Sequence, residues 1–280
     1  MKTTISALII CLYILCCLRL RTGPWKYFQI NARHFSADKG IFSKINIDGM
    51  IPDKWKLKQE RLGDGFVPAR FPIFVKPEWG QNAQGITRAD DEKEFNSIRQ
   101  SLNGSATRYI AQESAPERRE FEIYTVFPAA DRDQCELITI TESVNQTHAY
   151  PINSIYNKDT FYHDITDEFS ADELEKIGGY KKEIGQFGHS RLSVRADSLE
   201  DLINGQFHVI ELNLFLPMPI NLLDRNYTWA RRLRFIGCCS WALARATQSI
   251  DRKQKSQPIF TRMMLYGRSR KTLSVLRSFL

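Results

Sequence analysis

The chain has 280 residues, 39 Lys and Arg against 32 Asp and Glu, and a formal net charge of +7. Its 42% hydrophobic and 25% charged content is that of an ordinary globular protein, long enough for one large domain or two small ones. The charge is not spread: Asp251–Leu280 holds eight basic residues and one acid, which supplies the whole +7, so the first 250 residues sum to zero and the chain as a whole does not read as a nucleic-acid binder.

The six cysteines (Cys11, Cys16, Cys17, Cys135, Cys238, Cys239) form no CxxC pair. This argues against zinc and for reduced thiols in a cytoplasmic compartment. Sequons at Asn103, Asn145 and Asn226 matter only if the chain is exported.

In chain order, Ile5–Leu18 is an uncharged apolar run with Lys2 before it and Arg19, Arg21 and Lys26 after it. It is shorter than the roughly 20 residues a spanning helix needs, and no small-residue cleavage site follows. Two readings stand: an anchor on the inner face of a membrane, or a buried N-terminal helix, with the basic flank keeping the rest cytoplasmic. Trp25–Lys58 shows no period, and turns fall at Asp48-Gly49, Pro52 and Asp64-Gly65.

Phe71–Ile86, FPIFVKPEWGQNAQGI, reads as a buried strand that ends in Lys76, followed by a loop with Gly80 and Gly85. An ammonium at a strand end and a loop able to turn backbone N–H groups outward suit a phosphate. A surface hairpin with a solvated lysine is the alternative, and there is no Walker motif. A helix is predicted over Asp90–Leu102, ended by Asn103-Gly104, then strands at Arg108–Gln112, Phe121–Phe127 and Leu137–Thr141. Ser170 and Glu173 predict a capping box for a helix through Ile177, interrupted at Gly178-Gly179. Arg191–Arg195 alternates as a strand with both arginines on one face. A turn-like DSLEDLING insert leads to a partner strand over Phe207–Leu212, so Glu211 and Asn213 share a face. Leu222–Ile250 predicts one long amphipathic helix, with Leu223, Trp229, Leu233, Ile236, Trp241 and Leu243 buried, and Pro258 separates it from the basic tail.

Taken in order, VKPEWGQNAQGI, YIAQESAPERREFEIYTV, RLSVRAD and VIELN resemble the ATP-grasp superfamily, in the flavour of the D-alanine–D-alanine ligases, over roughly Lys56–Leu223. The resemblance implies an α+β ATP-grasp fold, with two α+β subdomains gripping nucleotide between them. It divides the chain into 1–21 (anchor or N-terminal helix), 22–58 (reduced N-terminal region), 59–223 (ATP-grasp domain) and 224–280 (helical basic extension).

It further implies ATP and Mg²⁺ as cofactors. Lys76 would meet phosphate, Gln112 and Glu113 would lie by the adenine, and Glu120 would hold the ribose diol, since a carboxylate accepts two hydrogen bonds. Glu211 and Asn213 would hold Mg²⁺ with oxygen ligands. Arg191 and Arg195 would stabilise charge on the transferred phosphoryl group. The partners implied are small-molecule carboxylate and amine substrates, joined through an acyl-phosphate; the apolar Ile5–Leu18 run with its basic flanks and the basic tail add a membrane surface as a further partner.

The family usually carries a separate domain before its ATP-binding half, whereas only 75 residues precede Lys76 here, and two positions depart from its pattern. Ser193 stands where the family pattern has a metal-ligating aspartate, with Asp197 as the candidate replacement. The family's upstream phosphate lysine has only Lys54, Lys56 and Lys58 as weak matches. Gln146–Asp167, where the family has a covering loop, offers Lys158 and His163. The rival reading is therefore an ATP-binding regulatory module without turnover.

Overall fold

A computed structural model describes residues 2–63, 65–80, 85–105, 107–128, 135–145, 159–251 and 253–267. Two antiparallel sheets organise them. The smaller joins β1 (Gln59–Arg61), β2 (Ile73–Pro77), β3 (Thr87–Ala89) and β4 (Tyr109–Glu113) in the order β1-β4-β2-β3. The larger joins β5 (Arg119–Val126), β6 (Leu137–Asn145), β7 (Thr160–Asp164), β8 (His189–Ala196) and β9 (His208–Asn213) in the order β7-β6-β5-β8-β9. Six α-helices accompany them: α1 (Lys2–Arg19), α2 (Lys44–Asp48), α3 (Glu92–Ser101), α4 (Ala171–Ile184), α5 (Leu199–Asn204) and α6 (Trp229–Gln248), and residues 259–267 are also helical. The architecture is α+β, as expected.

Strand alternation gives each sheet two unlike faces. In the large sheet, Phe121, Ile123, Ile140, Leu192 and Val194 point to one side. They form a core with Ile177 and Ile184 of α4, Leu202 of α5, and Phe35, Phe42, Ile47 and Trp55 from the segment that showed no period. Trp55 is the hinge of this packing: its ring stacks on Phe207 at 4.9 Å and its Nε1 donates to Gly205 O at 2.8 Å. The opposite face is polar over much of its area, since register aligns Glu120 with Arg195 and Ser143, and Glu122 with Ser193 and Thr141. At its far end Tyr124 and Val126 are covered by α1 and α6. In the small sheet, α3 closes one face over Ile73, Val75 and Ala111 through Phe95. Lys76 and Gln112 lie on the other, because their positions alternate with those residues.

Several local expectations change in the structure. The predicted interruption at Gly178-Gly179 is absent: α4 runs through both to Ile184, behind the Ser170–Glu173 capping box. A glycine there costs helix propensity only, and packing on the core outweighs it. The DSLEDLING insert is a short helix, capped by the Ser198 side chain on Asp201 N and closed by Gly205 at φ 74°. The long helix begins only at Trp229, with Thr228 as its N-cap. Leu223 belongs to a 3₁₀ turn, and Asp224 Oδ1 accepts from Asn226 N at 2.7 Å, which breaks the chain between the two. Ile236 and Leu243 are buried as expected, whereas Trp229, Leu233 and Trp241 face outward.

Candidate functional site

The two sheets meet at β9. Lys56 bridges to Val209 in parallel before the chain enters β1, so the small sheet is tied to the edge strand of the large one. From the small sheet, Lys76 Nζ donates to Gln112 Oε1 at 2.7 Å and to Ile210 O at 3.3 Å, and Gln112 Nε2 reaches the same carbonyl at 3.3 Å. The expected phosphate lysine and adenine-side glutamine therefore stand together, facing the polar face of the large sheet.

Lys76 is only 4% exposed. Burial, with the Lys44 ammonium nearby, pulls it down to about 7 against the pull of Glu211 and Asp48. Glu211 shows the reverse balance. Burial opposes its charge, yet Lys44 and Lys76 hold it down to about 2, with Lys44 Nζ 2.8 Å from its Oε1. Lys44 was not anticipated. It opens α2, next to Ser43, whose side chain caps that helix, in a stretch whose sequence shows no period.

The polar sheet face carries the remaining candidates. Arg195 Nη2 lies 3.2 Å from Glu120 Oε2, so the expected ribose acid and the expected charge-stabilising arginine face each other across β5 and β8. Arg191 Nε lies 3.1 Å from Glu122 Oε2, and Ser193 Oγ donates to the same oxygen at 2.8 Å. Glu122 is a second residue that sequence reasoning missed, although it alternates with Glu120 in REFEIYTV. It is buried, and burial raises its carboxyl above the usual range while Arg191 and Ser193 pull it back. On β9, Glu211 lies opposite Ser193 and Asn213 opposite Arg191. The Asn213 Nδ2 is buried with no hydrogen-bond partner among the described residues.

Three sequence-predicted residues are not brought into this group. Asp197 lies beyond the end of β8, four residues from Ser193 or roughly 13 Å along a strand. It accepts from Arg118 N at 3.1 Å instead of joining Glu211 and Asn213. Glu113 sits on the opposite face of β4 from Gln112; it accepts from Ala69 N at 3.1 Å and pairs with Arg70 at 3.6 Å. His163 is exposed on β7, opposite Glu142, with its side chain off the polar face. Lys158 and the loop residues 81–84 lie outside the described residues. Of the weak lysine candidates, Lys54 pairs with Glu183 and Lys58 reaches Val67 O, while Lys56 lies 3.5 Å from Asp48.

Among the described residues no group of three or more His, Cys, Asp or Glu is arranged to hold a metal ion. The oxygen donors of Glu122, Glu211 and Asn213 nevertheless fit a hard divalent cation that takes its other ligands from phosphate and water. The buried Asn213 Nδ2, a donor with no partner among the described residues, calls for an acceptor such as a phosphate oxygen and not for the cation itself.

No protein-family model matches the chain, and no curated protein matches it. Similar solved structures include an L-amino acid ligase from Bacillus licheniformis, with a TM-score of 0.46 and 15% identity over 72% of this chain. They also include a D-alanine–D-alanine ligase from Bacillus anthracis complexed with ATP, with a TM-score of 0.44 and 15% identity over 72% of this chain. A D-Ala:D-Ser ligase from Enterococcus faecalis gives a TM-score of 0.46 and 13% identity over 76%. The chain spans 47%, 67% and 70% of those three proteins. The chain is α+β, built on two antiparallel sheets, and solved structures similar to it include L-amino acid, D-alanine–D-alanine and D-Ala:D-Ser ligases.

Proposed function

We propose that the two sheets open into a cleft at β9 that binds Mg-ATP, and that the protein joins a carboxylate to an amine through an acyl-phosphate. The observation that supports this best is the meeting, at β9, of a buried lysine of lowered pKa with a carboxylate of lowered pKa, beside two arginines on one strand face.

In this reading Lys76 and Lys44 take the phosphates, Lys44 exchanging Glu211 for them. Gln112 and the backbone after it read the adenine edge, and Glu120 takes the ribose diol. Glu211, Asn213 and Glu122 would hold Mg²⁺, with Glu122 supplying across the strands the carboxylate that Ser193 does not. When bound, the ion shields phosphate charge and aligns the terminal phosphoryl group. Arg191 and Arg195 present guanidinium donors to the charge that builds on that group. The phosphoryl group passes to the carboxylate oxygen as ADP leaves. The amine then attacks the activated carbonyl, loses a proton and displaces phosphate.

The test is ADP and phosphate release across a panel of carboxylate and amine pairs, with hydroxylamine present to trap an acyl-phosphate as hydroxamate. Hydroxamate that depends on both ATP and one carboxylate is the expected result. ATP binding with no turnover for any pair would move the assignment to the regulatory module, which the Ser193 departure favours.

A further inference from the structure

Helix α1 is apolar on two sides. Ile5, Tyr13 and Cys17 are buried against α6 and the large sheet. Tyr13 Oη lies 2.9 Å from Thr247 Oγ1, and Gln248 Nε2 donates to Leu20 O at 2.9 Å, so the helix is fixed to the folded body along its length. The side turned away from α6 carries Ile10, Ile14, Leu15 and Leu18, all exposed and at the 4-and-3 spacing of one helix face. No charged residue lies between Lys2 and Arg19 to solvate it. An amphipathic surface helix has one polar face, and this one has none; a continuous apolar stripe in water marks an interaction surface.

The surroundings of the stripe say what covers it. Arg19, Arg21 and Lys26 follow its end, and Trp25 beside them is 72% exposed. The first acid in the chain is Asp38, so residues 1–37 hold Lys2, Arg19, Arg21, Lys26 and Arg33 and no acidic residue. A second copy laid on this face would bring like charges together. An anionic surface would be complementary. No helix among the described residues is long and apolar enough to cross a membrane.

We propose that this face of α1 docks the protein side-on to an anionic lipid bilayer. Ile10, Ile14, Leu15 and Leu18 enter the acyl boundary, Trp25 sits at headgroup depth, and Arg19, Arg21 and Lys26 meet lipid phosphates. The helix lies along the surface, because its other side is committed to α6. Since α1 and α6 cover the end of the sheet face that carries Glu120 and Glu122, docking sets the cleft beside the bilayer. The inference does not depend on what the cleft binds.

The experiment is co-sedimentation of the full chain with vesicles of phosphatidylcholine alone and of phosphatidylcholine mixed with phosphatidylglycerol, at low and high salt. Binding to the anionic vesicles that weakens with salt is expected. Removing two basic residues in R19Q/R21Q should lower partitioning on the order of 30-fold. The L15S/L18S pair, which changes only exposed side chains, should also abolish sedimentation while circular dichroism stays that of the wild type. Equal binding to neutral vesicles, or no binding to either, overturns the proposal. So does a dimer in sedimentation velocity that L15S/L18S dissolves, since the occupant would then be a second copy.

Discussion

Lys76 sits where its charge state should be set by whatever fills the cleft. Burial brings its ammonium down to about 7, so at pH 8.5 the resting side chain is almost entirely neutral. A phosphate placed against it favours the ammonium, and the bound state must then carry the proton the resting state lacks. Binding of Mg-ATP at pH 8.5 should therefore take up nearly one proton per nucleotide. As pH rises above 7, affinity should fall by up to tenfold per unit, equivalent to about 1.4 kcal/mol.

The sign is fixed by direction. The group's pKa in the folded, empty protein lies below its ordinary value, so the empty protein itself gains stability from pH 7 toward 10.5 and loses it as pH falls through about 7. Isothermal titration calorimetry in buffers of differing ionisation enthalpy reads the proton count directly. The Lys76→Met variant, which keeps most of the buried chain without the charge, should take up none and bind nucleotide clearly less tightly. Wild-type affinity that does not change with pH, with a proton count the substitution leaves unaltered, would refute the assignment of Lys76 to phosphate.

Other outcomes follow from the same contacts. Arg191→Ala and Arg195→Ala should each lower substrate-dependent phosphate release on the order of a hundredfold while ATP binding, read by calorimetry, persists; turnover kept by both variants would favour structural ion pairs with Glu122 and Glu120. Glu122→Gln should weaken Mn²⁺ binding, followed by electron paramagnetic resonance with a non-hydrolysable ATP analogue, and adding Ser193→Asp should restore it. If the first change leaves Mn²⁺ affinity alone, Glu122 is not a ligand. Trp55→Ala should cost about 3–5 kcal/mol in urea unfolding, because a full indole leaves the core. Trp55→Phe keeps a ring against Phe207 but loses the bond to Gly205, about 1 kcal/mol, together with part of the indole's volume, so it should cost less than Trp55→Ala.

Local pattern was enough to read the strands that build the site. Alternation in RLSVR and VIELN placed Arg191 and Arg195 on one face and Glu211 and Asn213 on another strand's matching face, and strand pairing kept them there. The Ser170–Glu173 box was legible because a cap depends on residues three apart. What pattern could not supply was pairing across the chain. Lys44 reaches Glu211 over 167 positions of sequence, through short helices with no period, and only the packing of that segment on the large sheet brings them to 2.8 Å.

Glu122 joins the candidate site because β5 pairs with β8 in the register that sets it opposite Ser193; one residue's slip would turn it to the other face. The same dependence removed Asp197, which continues the alternation on paper but lies past the strand's end. The helix face told a similar story. Composition marked Ile5–Leu18 as apolar without deciding whether it is buried or exposed. Contact with α6 divided it, burying Ile5, Tyr13 and Cys17 and leaving Ile10, Ile14, Leu15 and Leu18 in water. Residue type and spacing thus determined which groups the chain carries and how they alternate; sheet register and the docking of one helix on another decided which of them meet.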